Sequence, residues 1–222
     1  MLHKTRGVVF RFTKYGETSI IVNIFTELFG LQSYIVNGIR SKSSKSKIAL
    51  YQPLTLLDLI VYYRENANIN RIKEVKCLHP YQSIPMDMKK SAAAIFINEV
   101  INKTIKEESH AKELCNFMID SFITLDVMTV KVENFHLIFL LKLSRLLGFG
   151  AHNTNEVMGP RATDMETELI LSELIKSEYS DLIRMSNTQR RDILELLLKF
   201  YSDHIESLGE MRSVQVLREV MG

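Results

Sequence analysis

The sequence predicts an α+β chain, with a small five-stranded β-barrel over residues 1–80 followed by an α-helical domain over residues 81–222. Three observations predict it. β-branched and aromatic runs broken by turn residues crowd the first eighty positions, apolar residues recur at intervals of three and four after His79-Pro80, and charge divides at the same place. Residues 1–80 hold 12 Lys and Arg against 5 Asp and Glu, whereas the rest hold 16 against 21. The net charge of +2 therefore conceals a basic part suited to a polyanion and an acidic part that is not.

Each element has its own signal. Gly7–Phe12 and Thr18–Thr26 are β-branched and aromatic runs, joined through Tyr15-Gly16-Glu17, and Gly30 introduces a third strand, Leu31–Val36. A Ser- and Lys-rich segment, Arg40–Lys47, reads as a flexible loop. Leu54–Tyr63 is too short and too β-branched to favour helix, Asn66-Ala67-Asn68 is a turn signal, and Ile69–Leu78 alternates as a fifth strand. Five short strands in about eighty residues predict a closed or partly closed barrel. Beyond it, helical stripes run through Ala93–Ile105, Leu114–Leu125 and Phe135–Leu147, then Met165–Glu178, Thr188–Ser207 and Met211–Met221. Gly148-Phe149-Gly150 ends one helix, and Asn153-Thr154-Asn155 with Gly159-Pro160 predicts a loop.

Composition excludes several classes. No apolar run reaches the roughly 18 residues needed to span a bilayer, and Met1–Arg6 leads straight into a strand without an apolar signal core, so a cytoplasmic protein with no membrane partner is expected. Cys77 and Cys115 lie in different predicted domains and the six histidines lack paired ligand spacing, so neither a disulfide nor a metal site nor any other cofactor is expected. A phosphate-binding P-loop requires glycine directly before Lys-Ser, and here Arg40-Ser41 precedes Lys42-Ser43. No carboxylate pair, nucleophile elbow or Cys/His pair has catalytic spacing, so the chain is expected to bind rather than catalyse.

The loop Arg40, Lys42, Lys45 and Lys47 places four cations among small hydroxyls that can donate to phosphate, which is backbone-directed nucleic-acid chemistry. Small barrels that hold single strands add aromatic stacking platforms to such cations. Candidate aromatics are Phe10, Phe12, Tyr15, Tyr34, Tyr62 and Tyr63, beside the further cations Arg6, Arg11, Lys14 and Arg64, and patterning does not say which rings face out.

The blocks Tyr15-Gly16-Glu17 with Ser19-Ile20, Thr26-x-x-x-Gly30, Gly38-x-Arg40-x-x-Ser43 and Gln52-Pro53, in this order and spacing, resemble the N-terminal domain of the RecO family of bacterial recombination mediators. Leu143-x-x-Leu146-Leu147-Gly148-Phe149 and Arg212-Ser213-x-x-Val216-Leu217 are similar to later segments of that family. The resemblance implies an oligonucleotide-binding (OB) fold and a helical domain. It also implies binding to single- and double-stranded DNA, annealing of complementary strands, and loading of recombinase in DNA repair and recombination at the nucleoid. The implied partners are RecR, in some cases RecF, and the acidic C-terminal tail of single-stranded DNA-binding protein. For that tail, Phe139, Lys142, Arg145 and Leu146, or the pair Arg190-Arg191, are candidate apolar and cationic groups. A four-cysteine zinc module that many family members carry just after the Leu-Gly-Phe segment is missing, since residues 150–165 contain no cysteine. An RNA-binding or translation-associated barrel and a helical adaptor that binds no nucleic acid remain the alternative readings.

Overall fold

The computed structural model describes residues 1–40, 47–65, 67–106, 110–159 and 164–221. Among them, five strands close a barrel and seven α-helices follow. The strands are β1 (Leu2–Tyr15), β2 (Ser19–Thr26), β3 (Gly30–Val36), β4 (Leu56–Tyr62) and β5 (Asn70–Cys77), in the order β1-β2-β3-β5-β4. All neighbours are antiparallel except β3 and β5.

β1 is longer than its apolar run predicts because it serves two neighbours. Gly7–Tyr15 pairs with β2 while Leu2–Val8 pairs with β4, and a register shift between Val9 and Arg11 separates outward Arg11 from the core residues before it. Such a shift bends a strand, which helps a short sheet close on itself. Gly7 sits where the walls approach most closely: a Cβ there would lie 2.7 Å from Ile24 Cγ2. The interior is filled by Val9, Ile20, Val22, Ile24, Tyr34, Leu57, Leu59 and Val61, the inward set of the period-2 pattern.

The helices are α1 (Met88–Thr104), α2 (Ala111–Val127), α3 (Phe135–Leu146), α4 (Thr154–Met158), α5 (Met165–Lys176), α6 (Asn187–His204) and α7 (Ser213–Met221). The chain forms two compact units, Met1–Tyr81 with Lys106–Ile123, and Gln82–Ile105 with Thr124–Gly222. Most of α2, up to Ile123, thus belongs with the barrel, and its last turn with the other helices. In the second unit α3 is the central helix, apolar nearly all round, and packs against α1, α5 and α6.

Residues 154–158 are helical, where patterning predicted a loop. Asn153 accepts a hydrogen bond from the Glu156 backbone N–H (3.2 Å) and Glu156 accepts one from that of His152 (2.9 Å), so a capping pair nucleates one turn.

Candidate nucleic-acid interface

The β1–β2 turn and the segment leaving β3 meet at one end of the barrel. Gly16 supplies the positive φ (54°) of the turn, and Gly38 a second (68°) before Arg40. Arg40 is tied to the turn twice: its backbone N–H donates to Thr18 O (2.9 Å) and its Nη1 to Gly16 O (3.1 Å). Ser19 Oγ donates to Asn37 Oδ1 (3.1 Å), so Asn37–Arg40 is held against the β1–β2 turn and the start of β2. Lys42 and Lys45 lie outside the described residues. Lys47, which opens a short 3-10 helix, is exposed, as are Lys14 at the turn and Arg11 on β1. Arg64 is exposed on the β4–β5 connection, its backbone N–H donating to buried Asn70 Oδ1 (3.2 Å). Among the described residues Arg11, Lys14, Lys47 and Arg64 have no carboxylate partner.

Arg6 departs from its expected role as a phosphate contact. Its Nε and Nη2 donate to the two oxygens of Glu27 (3.0 Å each), and Nη2 also donates to Asn116 Oδ1 (2.6 Å). The Glu27 hydrogen bond raises the Arg6 pKa against the opposing effect of burial, and the Arg6 hydrogen bond holds the Glu27 carboxyl below its usual range. A bidentate pair so placed cancels the charge that a phosphate would need.

The aromatic candidates separate. Phe10 and Tyr34 are fully buried, Phe12 packs on the barrel core, and Tyr63 stacks on Phe29 at 3.8 Å. Tyr15 and Tyr62 are the exposed rings, at 52% and 46%. Burial pushes the Tyr34 hydroxyl well above its ordinary pKa, as expected of a core tyrosine. Three exposed cations on β5 were not singled out from the sequence. Lys73 pairs with Glu74 (4.0 Å) and Lys76 stands opposite Asp58 in register, whereas Arg71 has no carboxylate partner among the described residues. Strand alternation marks Arg71 as outward, but only the register shows which neighbours it meets.

In the helical unit the candidates around Phe139 do not form an open groove. Phe139 is fully buried, within the run Phe135–Leu141 of α3 that is buried throughout, so it offers no surface to a partner. Lys142 donates to Glu178 Oε2 (2.6 Å) and lies 5.6 Å from the Tyr179 ring centre, Arg145 donates to Ile175 O, and Leu146 is half-buried. A cavity of about 490 Å³ opens instead beside the α6 N-terminus, lined by Lys89, Lys131, Glu133, Arg184, Asn187 and Arg190 among others. Arg190 is 9% exposed, and its Nε and Nη1 donate to Asn134 Oδ1 (3.2 Å) and Asn187 Oδ1 (2.8 Å). Burial lowers its pKa, partly offset by Glu133.

Cys115 is buried, which pushes its thiol up to about 12, and Cys77 is half-buried. Among the described residues no three His, Cys, Asp or Glu side chains are grouped to hold a metal ion, and no helix is long and apolar enough to cross a membrane.

The model for the recombination protein O N-terminal domain matches residues 1–81, and that for its C-terminal domain residues 85–167. The chain is 34% identical to the DNA repair protein RecO of Bacteroides fragilis over 240 aligned positions, covering 99% of both chains. It is 33% identical to that of Flavobacterium psychrophilum, covering 98% of both, and 30% identical to that of Christiangramia forsetii, covering 100% of both. With a closed five-stranded barrel, a helical C-terminal part and likeness along its whole length, the chain belongs to the RecO family.

Proposed function

We propose that this chain serves DNA repair by binding: it holds DNA at the cationic end of its barrel, anneals complementary strands, and helps load recombinase onto single strands coated by single-stranded DNA-binding protein. The observation that carries this reading is the end of the barrel where Arg40 is anchored on the β1–β2 turn, with Lys14 at the same turn and Arg11 further along β1, both without carboxylate partners among the described residues. Cations so placed replace the counterions of a phosphate backbone, which gives affinity without sequence preference. They also lower the repulsion that a second, complementary strand meets, and they leave base edges free to pair. No bond is made or broken in this work, so no catalytic group is required. The relatives from Bacteroides fragilis, Flavobacterium psychrophilum and Christiangramia forsetii are named DNA repair proteins, which supports the repair role.

Family membership supports three protein partners, RecR, RecF in some members, and the acidic tail of the coating protein, and a place in the cytoplasm at the nucleoid. For the tail we favour the Arg190 cavity over the Lys142–Arg145 surface, since the charge of Lys142 is already paired with Glu178 and Arg145 donates to the α5 backbone, whereas Arg190 donates to the neutral side chains of Asn134 and Asn187 and the cavity also presents Lys131 and Arg184. A tail peptide titrated by calorimetry should lose affinity on Arg190→Gln and keep it on Lys142→Ala/Arg145→Ala, and the reverse pattern would move the site back.

The direct test of the main reading is annealing of complementary oligonucleotides, bare and precoated, alongside titration of single-stranded DNA, duplex DNA and RNA at several salt concentrations. Faster annealing and salt-dependent DNA binding are expected. No nucleic-acid binding would overturn the reading, and a strong preference for RNA would favour an RNA-binding barrel.

A further inference from the structure

We infer that Tyr62 and Arg71 form a second contact for nucleic acid, one selective for an unpaired strand, on the outer wall of the barrel. The inference rests on the reading of the barrel as the part that holds DNA, and adds a site and a selectivity to it. Register brings the two residues together from strands whose sequences do not announce it. Thr13, Ile21, Ile35, Arg71 and Tyr62 are direct neighbours across β1, β2, β3, β5 and β4. Tyr62 and Arg71 are exposed on adjacent strands, Ile35 and Ile21 beyond Arg71 are half-buried, and because the barrel is closed Tyr62 meets exposed Leu2 of β1 on its other side. With strands spaced about 4.8 Å apart, Tyr62, Arg71 and Ile35 cover roughly 10 Å of the outer wall before the row curves away round the closed barrel, enough for one base and its phosphate.

The chemistry of the row suits bases and phosphates together. It contains no carboxylate, and the outward row beside it on β1, β2 and β3 is Arg11, Asn23 and Ser33, also without one. On the other side the row Lys4, Ile60, Glu74 introduces an acid, so the cation excess ends there. Tyr62 is held in place from behind: Val61 is fully buried, and the chain just after it is fixed where Asn70 accepts the Arg64 N–H (3.2 Å) and donates to Gln32 Oε1 (3.3 Å). An exposed ring on a strand end held in this way, beside an arginine that lacks a carboxylate partner among the described residues and continuous with an apolar floor, fits a base stacked on the ring with its phosphate on the guanidinium. In a duplex the base faces are covered by their neighbours, so this contact is open only to a single strand.

The experiment titrates labelled oligothymidylate and a duplex of equal length into the full-length wild type, Tyr62→Ala, Tyr62→Phe and Arg71→Ala, with the Arg40→Ala/Lys42→Ala/Lys45→Ala/Lys47→Ala variant in parallel. Tyr62→Ala should lower single-strand affinity about ten-fold and duplex affinity less than about two-fold, while Tyr62→Phe stays near wild type. Arg71→Ala should reduce the single-strand salt slope by ~0.7. An oligonucleotide carrying 5-iododeoxyuridine should photocross-link to Tyr62, as mapped by mass spectrometry. Equal losses on both ligands, or single-strand binding by Tyr62→Ala within about two-fold of wild type, would overturn the inference. If the loop variant weakens binding while Tyr62→Ala does not, this contact falls and the barrel reading stands; if neither weakens it, both fall.

Discussion

Asp126 should be among the most sensitive single positions of the helical unit. Its side chain, in the last turn of α2, is buried and gathers the segment that enters α1. Oδ1 accepts the backbone N–H groups of Gln82 (3.1 Å), Ser83 (2.8 Å) and Ile84 (3.0 Å), and Oδ2 accepts that of Gln82 (3.0 Å). The ammonium of buried Lys90 completes the cluster, donating to Ser83 Oγ (2.6 Å) and to the Asp126 carbonyl (2.7 Å). In Asp126→Ala, Gln82 is exposed and its N–H regains a partner in water, whereas the Ser83 and Ile84 groups lose a charged acceptor. Two charge-assisted bonds at about 1.5–2 kcal/mol each give a loss of about 3–4 kcal/mol, consistent with the cost of removing one member of a buried ionic network. At roughly 2–4 °C per kcal/mol for a chain of this size, the melting point should fall by about 10 °C. Asp126→Asn keeps one oxygen where most of the bonds converge and should cost about half as much. Urea unfolding followed by circular dichroism measures the loss, and hydrogen exchange at residues 82–84 localises it. A loss below about 1 kcal/mol in Asp126→Ala would refute the reasoning, since it would mean that these N–H groups find equal partners elsewhere.

Replacing Arg40, Lys42, Lys45 and Lys47 together by Ala should weaken binding to DNA of many sequences alike and flatten its salt dependence by up to ~0.7 log–log unit per lost single-strand phosphate contact; an unchanged slope would exclude the loop. Gly150→Ala should destabilise the helical unit by about 1–3 kcal/mol, because the added Cβ would fall 2.5 Å from the Arg145 Cα, and a melting point equal to wild type would show that the turn relaxes freely. His136 is buried with its Nδ1 unpartnered among the described residues, and burial, aided by Arg190, lowers its pKa to about 3. The unfolded chain takes up that proton near pH 6.5 and the folded one does not, so acidification from there towards pH 3 should destabilise by up to about 1.4 kcal/mol per pH unit. His136→Leu should flatten this window relative to wild type, and an NMR titration showing His136 protonated above pH 5 would contradict it.

Features that depend on neighbours along the chain are legible in the amino-acid pattern. Alternation in Thr18–Thr26 and Leu31–Val36 specified the barrel walls, three-and-four spacing specified the helices, and the division of charge marked which part suits a polyanion. These signals survive because an inward or outward position is set by local period, whatever lies across the core. The tertiary structure decided everything that required a partner from far along the chain. Arg6 looks like any other strand cation until Glu27, 21 residues on, and Asn116, 110 residues on, occupy its guanidinium. Phe139 looks like a groove residue until α1, α5 and α6 enclose α3. Tyr34 and Tyr62 have similar surroundings in sequence, yet one fills the barrel and the other faces solvent beside Arg71. Burial and ion pairing are sums over contacts between distant segments, and strand register, which a shift of one residue would reverse, decides which of those contacts exist.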